Sequence, residues 1–204
     1  MSDDRRLATG VDALDRKLGG GLPVGTVTAL TADPASQSEL FLYRLAATRE
    51  TVYLSTVRPA TGVEAAVDGD VEAVRADGDA PLEHAREVVA DLPEATNLVV
   101  DPMDVLEGCD PARYRAFLSE LGRRAAATGS VVLLHCLCDE RAPAGRRETL
   151  HLADVVFDLA TDTEGDSVEN RLAVPKFRGG ESMTDVVKLD LTGDVAVDVS
   201  RNIV

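Results

Sequence analysis

The sequence predicts an α/β fold: a mainly parallel sheet with helices on both faces, extended at the C-terminal end by an antiparallel β-meander. Three observations predict it. Short, β-branched apolar runs alternate with segments of helical periodicity over the first three quarters of the chain. Gly and Pro fall between these segments as punctuation. In the last quarter the helical periodicity stops, and three apolar runs follow one another across Gly-containing turns. Alternating strands and helices pair in parallel through crossovers, whereas strands joined by short turns pair antiparallel.

The elements follow in order. TVTALT at 26–31 is a short apolar run between Gly25 and Asp33-Pro34 and reads as a buried strand. ELFLYRLAAT at 39–48 has apolar residues at helical spacing, and TVYLST at 51–56 is a second strand. Residues 61–80 are acidic and rich in Gly and Asp, and receive no assignment. A helix spans Pro81 to Leu92, with Pro in its first turn, and NLVVD at 97–101 is a third strand. Asp110 and Pro111 open a helix that runs to about Ala127, with Asp110 as N-cap, Pro111 at the first helical position and Gly129 near its end. SVVLLHCL at 130–137 is a fourth strand, Asp139 to Arg147 a mobile loop, Glu148 to Ala153 a short helix, and Val155 to Leu159 a fifth strand. Arg171 to Phe177, Asp185 to Leu191 and Val195 to Val199 form the meander. At 204 residues the expectation is one domain over 1–204: a lead-in at 1–25, an α/β core at 26–160 and the meander at 161–204.

Composition narrows the function. Hydrophobic residues make up 45% of the chain, which is enough for a sizeable core and argues against wholesale disorder. Aromatics are 3% with no Trp, so the platforms of a base-stacking single-strand binder are missing. The net charge of −15, from 21 Lys and Arg against 36 Asp and Glu, argues against binding a phosphate backbone by overall charge. Only Lys17, Lys176 and Lys188 among the cations are lysines, and Asp outnumbers Glu. This is the balance of proteins from salt-accumulating halophiles, whose carboxylate-rich surfaces stay hydrated when salt screens charge. No window approaches 18 consecutive apolar residues, and no apolar segment follows the charged start of the chain, so a cytoplasmic protein without membrane contact is expected. Three Cys do not make a disulfide framework.

In a parallel sheet, ligands sit at the carboxyl ends of the strands, and the first strand-to-helix turn is the natural anion site. Here that turn is Ala32-Asp33-Pro34-Ala35-Ser36-Gln37-Ser38-Glu39. At this turn and three other stretches the chain resembles the RecA/KaiC-like ATPases, a P-loop NTPase family. The stretches TGVDALD at 9–15 and LGGGLPVGT at 18–26 resemble that family's lead-in to its first strand. LVVD at 98–101 resembles its Walker B strand, and KFRG at 176–179 a late Lys-x-Arg motif. The resemblance implies a RecA-like fold with phosphates bound at 32–39. It implies Asp101 beside a Mg²⁺-bound water and His135 as a sensor-like polar residue on the same rim. It further implies that Lys176 and Arg178 reach across a subunit interface toward a neighbour's nucleotide, and that the loop carrying Arg141, Arg146 and Arg147 touches DNA or a partner.

The departures carry the functional expectation. A phosphate loop reads G-x-x-x-x-G-K-[ST], and its four defining positions hold Ala32, Gln37, Ser38 and Glu39. Losing the lysine removes a charged hydrogen bond worth about 1.5–3 kcal/mol. Glu39 and Asp33 would repel an anion at close range. In the resembling family the end of the second strand carries water-activating carboxylates, whereas LSTVR at 54–58 has none. The expectation is therefore a non-hydrolysing regulatory or assembly protein with a degenerate nucleotide site. Its partners would be a second copy of itself or an intact paralogue, and ATP with Mg²⁺ would bind weakly at most. Two alternatives stand beside it: an unusual nucleotide-binding ATPase that keeps Asp101, and a DNA-associated accessory protein acting through Arg141, Arg146 and Arg147.

Other chemistries find less support. His135, Cys136 and Cys138, with Cys109, lack the paired knuckles of a zinc site, so no metal is expected. There is no G-x-S-x-G elbow and no G-x-G-x-x-G after a strand, which argues against an α/β-hydrolase and against a dinucleotide site.

Overall fold

A computed structural model describes residues 5–197, except 77, 140, 165–166 and 181–182. In chain order the elements are β1 (Arg6–Leu7), α1 (Asp12–Lys17), β2 (Leu22–Pro23), β3 (Val27–Ala32), α2 (Glu39–Ala46), β4 (Thr51–Ser55), α3 (Ala60–Ala66), β5 (Val71–Arg75) and α4 (Pro81–Ala90). They continue with β6 (Asn97–Asp101), α5 (Asp104–Glu107), α6 (Pro111–Thr128), β7 (Val131–Leu137), α7 (Arg146–Leu152), β8 (Val155–Glu164), β9 (Ser167–Phe177), β10 (Val187–Leu191) and β11 (Val195–Val197). Among the described residues, nine strands make one sheet in the order β11-β10-β9-β8-β3-β7-β6-β4-β5. β8, β3, β7, β6, β4 and β5 pair in parallel; β9, β10 and β11 continue the sheet antiparallel. The parallel sheet and the terminal meander are as the sequence predicts.

Side-chain alternation along the strands divides the core into two layers. Leu30, Tyr53, Val99 and Leu133 face α1, α2 and α3, together with the inward residues of the meander. Val27, Ala29, Leu54, Val100 and Leu134 face α4, α5 and α6 on the other side. The parity fixes the site: Tyr53, Asp101 and His135 fall on the α2 side of the sheet, at or near the carboxyl ends of three adjacent strands.

Local signals account for the helix ends. Asp110 accepts from the amides of Ala112 and Arg113, and Gly129 closes α6 at φ +64° in the left-handed region. The segment 61–80, unassigned from sequence, holds most of α3 and the edge strand β5. Its weak apolar pattern reflects its position: β5 pairs only with β4 and its residues are half-buried or exposed. β8 and β9 run longer than their apolar cores suggest, because the two strands stay paired as far as Glu164 and Ser167. The last predicted strand is observed over 195–197, and its continuation to Val199 lies outside the described residues. The helix expected from Glu148 instead starts at Arg146, inside the stretch read as a mobile loop.

Candidate functional site: the remodelled phosphate loop

The turn after β3, residues 33–38, turns its polar groups on itself. The Asp33 carboxylate accepts from the amide of Ala35 at 2.7 Å, and the Asp33 carbonyl accepts from the Ser36 amide and hydroxyl at 2.9 and 2.6 Å. The Ala35 amide is thus satisfied by a carboxylate from within the loop, and the Ser36 amide and hydroxyl by the Asp33 carbonyl. Pro34, Ala35 and Gln37 are exposed, whereas Ser38 is buried at the start of α2. The Gln37 carbonyl accepts from the amide of Leu40 in the first turn of α2 at 3.1 Å.

Asp101 ends β6 and is 4% exposed. Its Oδ2 accepts from the Tyr53 hydroxyl at 2.6 Å and from the Arg58 guanidinium, which also makes an ion pair with it. Its Oδ1 accepts from Nδ1 of His135 at 2.7 Å. Burial alone would push this carboxyl up; the hydrogen bond and charge of His135, with hydrogen bonds from Tyr53 and Arg58, outweigh burial and hold it at about 2. An ionised carboxylate only accepts, so the Nδ1 proton belongs to His135, and Nε2 of the ring lies 3.0 Å from the Ser38 hydroxyl. The result is a continuous chain, Ser38–His135–Asp101–Tyr53/Arg58, drawn from α2, β7, β6, β4 and the turn after β4.

Arg58 lies in the turn after β4. Its backbone amide donates to Ser55 Oγ at 2.9 Å, which sets the turn after β4. Its guanidinium donates to the hydroxyls of Tyr53 and Tyr43 and lies 5.3 Å from the centre of the Tyr43 ring. Burial raises both tyrosines, and for Tyr53 the neighbouring Asp101 charge adds to it. A cavity of about 280 Å³ opens onto this network between Glu39, Val57, Arg58, Asp101, His135 and Leu137. A larger cleft, about 700 Å³, lies between residues 35–37 and the meander, and its lining includes no member of the Asp101 network.

The structure brings Ser38, Asp101 and His135 together and leaves the other candidates elsewhere. Lys176 donates to the carbonyls of Leu150 and His151 at 2.8 and 2.9 Å, and Arg178 to those of His151 and Leu152, both at 3.1 Å. Both cations therefore cap the C-terminus of α7 in their own chain. Arg146, expected on a mobile partner loop, is 6% exposed and pairs with Glu107 at 2.9 Å and Asp104 at 3.1 Å. Arg141 and Arg147 are exposed. Cys136 lies buried in the sheet core, and among the described residues no three His, Cys, Asp or Glu groups gather as metal ligands. Sequence reasoning missed Tyr43, Tyr53 and Arg58. The available signal was parity, which puts Tyr53 on the face of Asp101, and a cation in place of an expected carboxylate at 58.

A family of unknown function, DUF7125, matches residues 6–204, and the chain belongs to it. No curated protein matches. Among solved structures, a KaiC-like protein from the hyperthermophilic archaeon Pyrococcus horikoshii superposes with a TM-score of 0.76 at 18% identity, over 95% of this chain and 99% of that one. The chain thus has the RecA/KaiC-like α/β fold. Because 535 solved chains match, the fold is too widely shared to decide an activity. Among the described residues no helix is long and apolar enough to cross a membrane.

Proposed function

We propose that this DUF7125 protein is a member of the RecA/KaiC-like fold that does not hydrolyse nucleotide. In this reading it works as a regulatory or assembly subunit in a salt-rich cytoplasm, through a second copy of itself or an intact paralogue. The observation that carries the proposal is the engagement of Asp101: both carboxylate oxygens accept hydrogen bonds from the protein's own Tyr53, Arg58 and His135.

ATP with Mg²⁺ does not fit these residues. A metal-bound water would have to compete with Arg58 and His135 for Asp101, and no hydroxyl stands at position 39 to hold the ion. The β- and γ-phosphates would meet Asp33 where they need amides and Glu39 where they need a neutral group, with no lysine at 38. Arg58 supplies internally the positive charge that metal and lysine supply in a working site. Burial of Arg146 in ion pairs with Glu107 and Asp104 removes one of the three arginines on which a DNA-binding loop would depend, so the accessory reading is the weaker one. ATP turnover assayed in molar KCl tests the proposal. The expected rate equals the protein-free background; turnover that Asp101→Ala abolishes would overturn it.

A further inference from the structure

Ser38 holds the first residue before α2, where a serine hydroxyl ordinarily caps the helix by accepting from a first-turn amide. It makes no such cap bond. Its hydroxyl instead points to Nε2 of His135 at 3.0 Å, while Nδ1 of the same ring is held by Asp101 at 2.7 Å. Tyr53 and Arg58 anchor the other carboxylate oxygen, so Asp101 is fixed and ionised. These contacts meet the geometric test for an activated nucleophile: a hydroxyl on a base, with the base oriented by a buried acid. The three residues come from a strand-to-helix turn and from the carboxyl-end halves of two strands of one parallel sheet.

We propose that Ser38, His135 and Asp101 are a nucleophile, general base and orienting acid, and that Ser38 accepts acyl groups from small carboxylic esters. In the step, Ser38 Oγ forms a bond to the ester carbonyl carbon as its proton passes to His135 Nε2. The tetrahedral intermediate then collapses, the carbon–oxygen bond to the leaving alcohol or phenol breaks, and that oxygen leaves with the electron pair. His135 returns the proton to the leaving group or to solvent, and water attacks the acyl-serine with the same base to release the acid. Ser38 is 2% exposed and does not itself line the 280 Å³ cavity, whose wall holds its chain neighbour Glu39 and its hydrogen-bond partner His135. That limits the substrate to small acyl groups. The missing G-x-S-x-G motif does not stand against the assignment, since the triad is recognised by geometry and roles. The activity requires no nucleotide, so it stands or falls separately from the proposed regulatory role.

The test is reaction of the full chain with p-nitrophenyl acetate in molar KCl, followed by peptide mapping, with far-ultraviolet circular dichroism to confirm folding. We expect one acetyl group per chain, on the peptide containing Ser38, formed with a matching burst of p-nitrophenolate. Ser38→Ala removes it, His135→Gln slows it at least 100-fold, and Ser119→Ala, a change at an exposed helix position, leaves it unchanged. Folded wild-type protein carrying no acetyl group on Ser38 would overturn the proposal whatever the variants do. So would acetylation of Ser38 in a folded His135→Gln variant at the wild-type rate.

Discussion

Asp101 concentrates the chemistry of this chain in one carboxylate. Its partners Tyr53 and His135 are themselves buried, so deleting it strands a phenol and an imidazole and leaves the Arg58 charge without its closest anion. Breaking a buried pair on one side costs roughly 3–5 kcal/mol. We expect Asp101→Ala to lower unfolding free energy by about 3 kcal/mol in a denaturant titration. The same carboxylate sets an acid limb. Its pKa falls from 3.8 to about 2 on folding, so between those values the unfolded chain binds more protons than the folded one. Its contribution, on the order of 2 kcal/mol, is present in full above about pH 4 and lost as pH falls through 2. A pH series of unfolding midpoints should show this limb in the wild type and a flatter one in Asp101→Asn. Asp101 itself was legible in the sequence as a strand-terminal acid. That it would be neutralised from within was not, because Arg58 and Tyr53 are near in space only after β4 and β6 have paired.

At the scale of elements, the ends of helices were legible wherever a single residue carries the mechanism. Asp110 and Gly129 cap α6 as read, and Asp110→Ala should cost about 1 kcal/mol. α7 shows the opposite case. Nothing local in DERAPAGRR announces a helix start at Arg146; the start is set by the distant Glu107 and Asp104, which the guanidinium reaches from the first turn. The other end of α7 is held by Lys176 near the end of β9 and by Arg178 just after it, some 25 residues further along the chain. Removing the Arg146 head group leaves Glu107, 1% exposed, without its cation. Arg146→Met should therefore cost about 3 kcal/mol by thermal or denaturant unfolding, far more than Arg147→Met at the exposed neighbouring position. Gly145 sets a further limit on this turn, since a Cβ there would lie 2.7 Å from the Tyr114 ring and 2.8 Å from the Glu107 carbonyl.

For the whole molecule, strand–helix alternation and the late meander were enough to give the architecture, because periodicity is a property of contiguous residues. The edge strand β5 escaped for the same reason, as a half-exposed strand has little apolar pattern to read. Charge is the other global property. With 36 acidic against 21 basic residues, self-repulsion works against the compact state at low ionic strength. The unfolding midpoint should rise as KCl increases from millimolar to molar, as a melting series will show; a midpoint independent of salt would remove the halophile reading. In the proposed reading, the fold keeps the frame of a nucleotide machine and fills its site with its own side chains. Calorimetric titration of the folded chain with ATP and Mg²⁺ in molar KCl tests it most directly. No binding heat up to millimolar nucleotide is the predicted result, and micromolar binding that depends on Asp101 would contradict it.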